Sequence, residues 1–143
     1  MNIILGEYIY MQNTLEQNKA IEDAITSLQK NPCEEILAHT LTVLRKSMQA
    51  KNELIIAVNN SIAANGLTLQ TVTTDDGKKW FLAFTSFDEQ TKGSNPIMSA
   101  FSSSIHEIFN VTLQTPEVAG LIINPWNKTL MLDKSLIQIV IGS

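Results

Sequence analysis

The chain predicts an α+β fold in which an N-terminal helix hairpin and further helices pack on a mixed or antiparallel sheet. Three observations predict it. Helix-period apolar positions fill the first third, with Ile21, Ala24, Ile25 and Leu28, then Leu37, Leu41, Leu44 and Met48. The middle holds two alternating or apolar runs around Asp75-Asp76-Gly77-Lys78, the pattern of a β-hairpin. Helical and extended segments are then interspersed without a regular βαβ rhythm, which favours α+β over a doubly wound sheet.

The first helix is expected from Asn13 or Thr14, either of which can cap it, to about Lys30. Asn31-Pro32 ends it and opens the second, with Asn31 as N-cap, Pro32 at the first helical position and Glu34 in a capping-box position. Arg45 and Lys46 fall near the end of that second helix, where the dipole favours cations. Glu53–Val58 reads as a short buried strand, Leu67–Thr74 as a threonine-rich half-exposed one, and Lys79–Phe84 as its hairpin partner. Thr85-Ser86 is expected to cap a short helical turn that contains Asp88 and Glu89 and stops at Gly93. Ser102 is expected to cap a third helix running to about Gln114, with Ile105, Ile108, Phe109 and Leu113 on one face and Pro116 beyond its end. Val118–Ile123 reads as a buried strand and Thr129–Leu132 as another. Asp133 then caps a terminal segment to Ile141 whose β-branched residues weaken its helix propensity.

At 143 residues a single domain is expected, large enough to bury a core without staples. Residues 1–12 are read as an N-terminal extension and 13–143 as the domain. Ile3–Met11 is apolar but lacks a basic leader and a small-residue cleavage site, and it is too short to span a membrane. Met11 opens a better helical start and is the alternative translation start, since Gly6-Glu7 just upstream can be encoded by a ribosome-binding-like sequence. The net charge of −4 is spread along the chain without a basic stripe, so no nucleic-acid partner is expected and no membrane association either. Mild acidity suits a basic protein partner. Cys33 is the only cysteine, which excludes an intramolecular disulfide and fits a reducing cytoplasm.

Motifs that carry chemistry are sparse. There is no Walker loop, dinucleotide fingerprint, HExxH or G-x-S-x-G elbow. His39 and His106 lack partners at metal-ligand spacing and read as helix-surface residues. Cys33 sits in the first turn of the second helix, where the dipole favours a thiolate, yet with no histidine partner evident in sequence it reads as a partly buried, unreactive thiol. Asp75, Asp76, Asp88 and Glu89 do not follow a calcium-loop spacing, and the hairpin turn accounts for the first pair. No metal or cofactor is therefore expected. The end of the Lys79–Phe84 strand at Thr85-Ser86-Phe87-Asp88-Glu89 can present backbone N–H groups to an anion, although its acids disfavour one. The best binding candidate is Asn124-Pro125-Trp126-Asn127. Proline sets the turn, asparagines tolerate its dihedrals, and a tryptophan at a turn tip is a natural interface anchor. The plainer alternative is that Trp126 folds back over the sheet edge. The candidate binding face is thus Trp126, Asn124 and Asn127, with Phe87 and Asp88 beside them. Residues 101–143 carry only Glu107, Glu117, Lys128, Asp133 and Lys134 as charged groups, so this segment is sheet core or a surface that meets a partner.

Three blocks in order resemble the N-terminal domain of the enhanced serine sensitivity (SseB) family. They are the opening helix pair with Asn31-Pro32, then Trp80-Phe81-Leu82-Ala83-Phe84-Thr85-Ser86-Phe87-Asp88-Glu89, then Thr115-Pro116-Glu117-Val118-Ala119-Gly120-Leu121-Ile122-Ile123-Asn124-Pro125-Trp126. The resemblance spans roughly Leu15–Ile141 and implies an SseB-like α+β domain of the bacterial cytoplasm, without an established enzymatic activity and with a protein-binding role. Two departures stand out: Trp126-Asn127 replaces the Phe-Gly expected after Asn-Pro, and the C-terminal domain of fuller members is missing. Related domains near toxin–immunity loci imply one alternative, an immunity protein that neutralises a secreted bacterial toxin. The family name suggests another, a small-ligand sensor linked to amino-acid metabolism.

Overall fold

The computed structural model describes residues 18–61, 66–86 and 99–142. The expected start of the first helix at Asn13 or Thr14, the extension before it, and the capped turn from Phe87 to Gly93 lie outside these residues.

Helix α1 (Lys19–Lys30) buries Ile21, Ala24 and Ile25, and α2 (Glu34–Gln49) buries Leu41 and Leu44. The two pack against each other as the expected hairpin. Their junction differs from the expected one. Asn31 closes α1, its N–H donating to the Ser27 carbonyl at 3.0 Å, and α2 begins at Glu34, behind Cys33, which occupies the N-cap without a side-chain cap. Pro32 forces an extended residue before it and lacks an N–H, so it serves the connection rather than the first helical turn. Cys33 is exposed, not partly buried.

Strand β1 (Glu53–Ser61) is the axis of the sheet. On one side it pairs antiparallel with β5 (Ser99–Ser104) along Glu53–Val58. On the other it meets β4 (Lys79–Phe84) at Ile55 and Ile56, and then β2 (Gly66–Leu69) from Val58 to Ser61. The strand expected over Leu67–Thr74 is broken at Gln70. Its second part, β3 (Thr71–Thr73), changes partner and pairs with the start of β4, so β2 and β3 together fill the wedge where β1 and β4 diverge. Gln70 holds the join, its N–H donating to the Ala57 carbonyl at 3.0 Å. Beyond β4 comes β6 (Val118–Ile123), parallel to it, and then β7 (Leu130–Asp133), antiparallel to β6. The sheet is mixed, with seven strands among the described residues.

The β3–β4 turn forms as expected. The Gly77 N–H donates to the Thr74 carbonyl at 2.9 Å, and Gly77 takes φ +84°, the left-handed conformation that closes a type I hairpin turn. Ser102, by contrast, does not cap a helix. It lies in β5, and helix α3 (Ile105–Gln114) starts after Ser104, whose Oγ accepts the Glu107 N–H at 3.1 Å. Helix α4 (Lys134–Ile141) does form despite its β-branched residues. The Asp133 carboxylate caps its start by accepting the Leu136 N–H at 2.9 Å, and Gly142 at φ +75° ends it. Arg45 serves this helix rather than its own, donating to the carbonyls of Val140 and Ile139 at the negative end of α4.

All four described helices contribute to one core on one face of the sheet. Ile21, Ile25, Leu44, Ile105, Phe109, Ile137 and Val140 pack there with Leu54, Ile56, Phe81, Ala83, Leu121, Ile123 and Leu132. The alternate strand positions Ile55, Ala57, Trp80, Leu82, Phe84 and Ile122 form a smaller cluster on the opposite face. No helix among the described residues is long and apolar enough to cross a membrane.

Candidate functional site

The parallel pair β4 and β6 ends at a buried polar junction. Asn124, directly after β6, is wholly inaccessible and sits at φ +56°, a left-handed conformation that asparagine tolerates better than most residues. Its N–H donates to the Ala83 carbonyl at 2.8 Å, extending the parallel ladder by one step. Its side chain crosses to the end of β4, where Oδ1 accepts the Thr85 N–H at 2.9 Å and Nδ2 donates to Thr85 Oγ1 at 2.9 Å. The Asn124 carbonyl accepts the Thr129 hydroxyl at 2.7 Å, closing the base of the loop that leads to β7.

Thr85 passes this network to helix α1. Its hydroxyl donates to Glu22 Oε2 at 2.6 Å. Asn18, buried at the start of α1, donates through Nδ2 to the carbonyls of Glu53 at 2.7 Å and Thr85 at 3.2 Å. One small set of amide and hydroxyl groups therefore ties α1, β1, β4 and β6 together. Asn18 Oδ1 is buried without a hydrogen-bond partner. The Thr85 N–H is consumed by Asn124, so it is not available to an anion, as the sequence allowed it to be.

From this base the turn Asn124-Pro125-Trp126-Asn127 projects. Trp126 is 39% exposed and Asn127 is exposed. Part of the Trp126 surface is thus accessible and the larger part is covered. Asn124 was expected in the binding face, but it is buried with its polar groups engaged. It holds the turn, and the accessible part of the candidate face is Trp126 and Asn127. Phe87 and Asp88 lie outside the described residues.

Other candidates are placed plainly. His39 and His106 are exposed on their helices. Thr74 donates to Asp76 Oδ1 at 2.5 Å, the Lys78 N–H donates to the same oxygen at 3.1 Å, and Trp80 Nε1 donates to Thr74 Oγ1 at 3.2 Å. The bonds from the Thr74 hydroxyl, first, and the Lys78 N–H hold the Asp76 carboxyl below its ordinary value. They make Asp76 a turn residue. Among the described residues no three or more His, Cys, Asp or Glu side chains are grouped to hold a metal.

Two features were missed at the sequence level. The Asn18–Glu22–Thr85–Asn124 network joins residues too far apart in sequence to be read as a motif. The other is a groove of about 470 Å³ between β5 and α3, lined by Ile56, Leu69, Phe101, Ser103, Ile108 and Val111 among others. The serine-rich β5 carries no strand signal in the sequence, so the groove beside it is not legible there. No protein-family profile, curated protein or solved structure matches the chain.

Proposed function

We propose that this chain is a non-enzymatic protein-interaction domain of the SseB type, working in the bacterial cytoplasm and docking through the Trp126 turn. The observation that carries the reading is an accessible tryptophan on a turn whose base is fixed by a buried asparagine. A large rigid aromatic loses little conformational entropy on binding, and anchors of this kind dominate interface energies. The left-handed Asn124, the Thr129 cap and Pro125 pre-organise the backbone that presents it. Asn127 lies next to the indole and supplies polar contacts at the rim. The family assignment within this proposal rests on the three sequence blocks, and the cytoplasmic assignment on the lone cysteine.

The test uses the tagged full chain as bait against its native lysate, with Trp126→Ala alongside, followed by titration of the purified partner. The expected result is one stoichiometric partner whose affinity falls at least about 30-fold in the variant, the scale of an interface hot spot. A partner bound equally well by both chains would remove Trp126 from the interface. Recovery of no partner would overturn the binding-module reading.

A further inference from the structure

Strand β5 is an edge strand of the sheet formed by the described residues. Among the described residues it pairs with β1 alone. The direction of its backbone groups follows from the ladder. The Ile105 N–H donates to the Asn52 carbonyl at 3.2 Å, so Ile105 belongs to the set whose polar groups face β1. Antiparallel pairing alternates with a period of two, so Phe101 and Ser103 also face β1, and the N–H and C=O groups of Ala100 and Ser102 and the N–H of Ser104 point outward, while the Ser104 carbonyl, at the helix N-cap, accepts the Ser103 hydroxyl at 3.3 Å. The Ala57 carbonyl agrees with this: it is turned away from its β5 partner Ala100 and accepts the Gln70 N–H instead.

Natural edge strands are blunted by charge, proline, brevity or a bulge. β5 has none of these. Ser99-Ala100-Phe101-Ser102-Ser103-Ser104 is uncharged, free of proline and in unbroken register with β1. The opposite edge, β7, is shorter and carries the charged Asp133. Phe101 is also 42% exposed, and Val111 across the groove is 41% exposed.

We propose that β5 pairs antiparallel with β5 of a second copy of this chain, joining two sheets into one across a two-fold axis at Ser102. This register uses the outward groups as they stand. Ser102 meets Ser102 as a hydrogen-bonded pair, and the Ser104 N–H of each copy meets the Ala100 carbonyl of the other. Phe101 then lies opposite Ser103 of the other copy in the closer, non-hydrogen-bonded pairing. Both residues are on the helix-covered face, where they line the groove under α3. The small Ser103 leaves room there, so Phe101 of each copy fills the groove of the other. Knob and hole sit two residues apart on one strand, the spacing that a two-fold antiparallel pair requires. An uncharged strand brings no like charges face to face. These features favour a second copy over a peptide of another protein as the occupant. The joint uses β5 while Trp126 follows β6, so the proposal stands or falls independently of the Trp126 reading.

The test is sedimentation equilibrium of the full chain from about 1 to 100 µM, where an interface of modest size associates. The wild type is expected at twice the chain mass of 15.9 kDa. Phe101→Lys, which removes both knobs, and Ser103→Glu, which fills both holes, are each expected at the single-chain mass with an unchanged circular dichroism spectrum. Mixing the two variants is expected to restore a dimer, because the introduced lysine of one chain then faces the introduced glutamate of the other while a native Phe101–Ser103 pair is kept. A monomeric wild type overturns the proposal, including one whose β5 amides gain protection only with an added peptide or protein. So does a dimer that survives both substitutions, or a mixture that stays monomeric.

Discussion

Asn124 shows how one side chain decides what a turn can do. It satisfies the Thr85 N–H, donates to the Thr85 hydroxyl, and occupies a left-handed conformation at the end of a buried strand. Asn124→Ala leaves the Thr85 N–H unpaired in the interior and adds strain at a positive φ. It is expected to cost about 3 kcal/mol of unfolding free energy, measured by urea denaturation. Asp76 makes a different kind of prediction. Its carboxyl is held below the ordinary value of 3.8 by the Thr74 hydroxyl and the Lys78 N–H. A depressed carboxylate stabilises the folded state above its unfolded pKa, and that contribution is lost as pH falls through the folded pKa. NMR titration of the side-chain carbonyl carbon is therefore expected to give Asp76 a midpoint below 3.8, and the Thr74→Val variant is expected to move it upward. At this scale the sequence was informative where chemistry is local. Gly77 and Asp133 could be read from their neighbours alone. Asn124 was legible as a turn residue but not as a buried fastener, because its side-chain partner Thr85 lies 39 residues away at the end of β4 and is itself held by Glu22 of α1.

Elements were legible in proportion to their periodicity. The apolar stripes of α1 and α2, the β3–β4 hairpin and the buried run of β6 all carried their own signal. Strand β5 did not. Three consecutive serines suggested a cap, since serine favours helix starts over strands. Only one serine can be the cap, and Ser104-Ile105-His106-Glu107 has the serine-to-glutamate spacing of a capping box, a signal that favours Ser104 over Ser102. The break at Gln70 was not legible, because a strand that changes partners midway follows from how β1 and β4 diverge. The packing of β6 on β7 yields a prediction. A Cβ built on Gly120 would lie 2.0 Å from the Leu132 carbonyl oxygen, a backbone atom that cannot step aside cheaply. Gly120→Ala is expected to cost about 3 kcal/mol or more, with a lowered melting temperature as the readout. A near-neutral result would mean that β7 is free to shift away from β6.

For the whole molecule, stability and presentation are divided between regions. β4 lies between β3 or β1 on one side and β6 on the other, and its side chains reach both apolar clusters. Its amides are expected to exchange with solvent only through global unfolding, and so to be the slowest in hydrogen exchange, while the 125–128 turn exchanges rapidly. The α+β class and the placement of helices on the sheet were legible in the sequence because alternating and helical periods were both strong. The common face chosen by all four described helices was not, since it depends on the order in which strands enter the sheet. The central claim is a division of labour: Asn124 holds the turn and Trp126 makes the contact. It is tested most directly by measuring thermal stability and partner affinity side by side for Asn124→Ala and Trp126→Ala. The account predicts that Asn124→Ala lowers the melting temperature, whereas Trp126→Ala leaves it nearly unchanged and weakens partner binding at least about 30-fold. Unchanged affinity in Trp126→Ala, with its melting temperature lowered as far as that of Asn124→Ala, would contradict it and make the indole part of the scaffold.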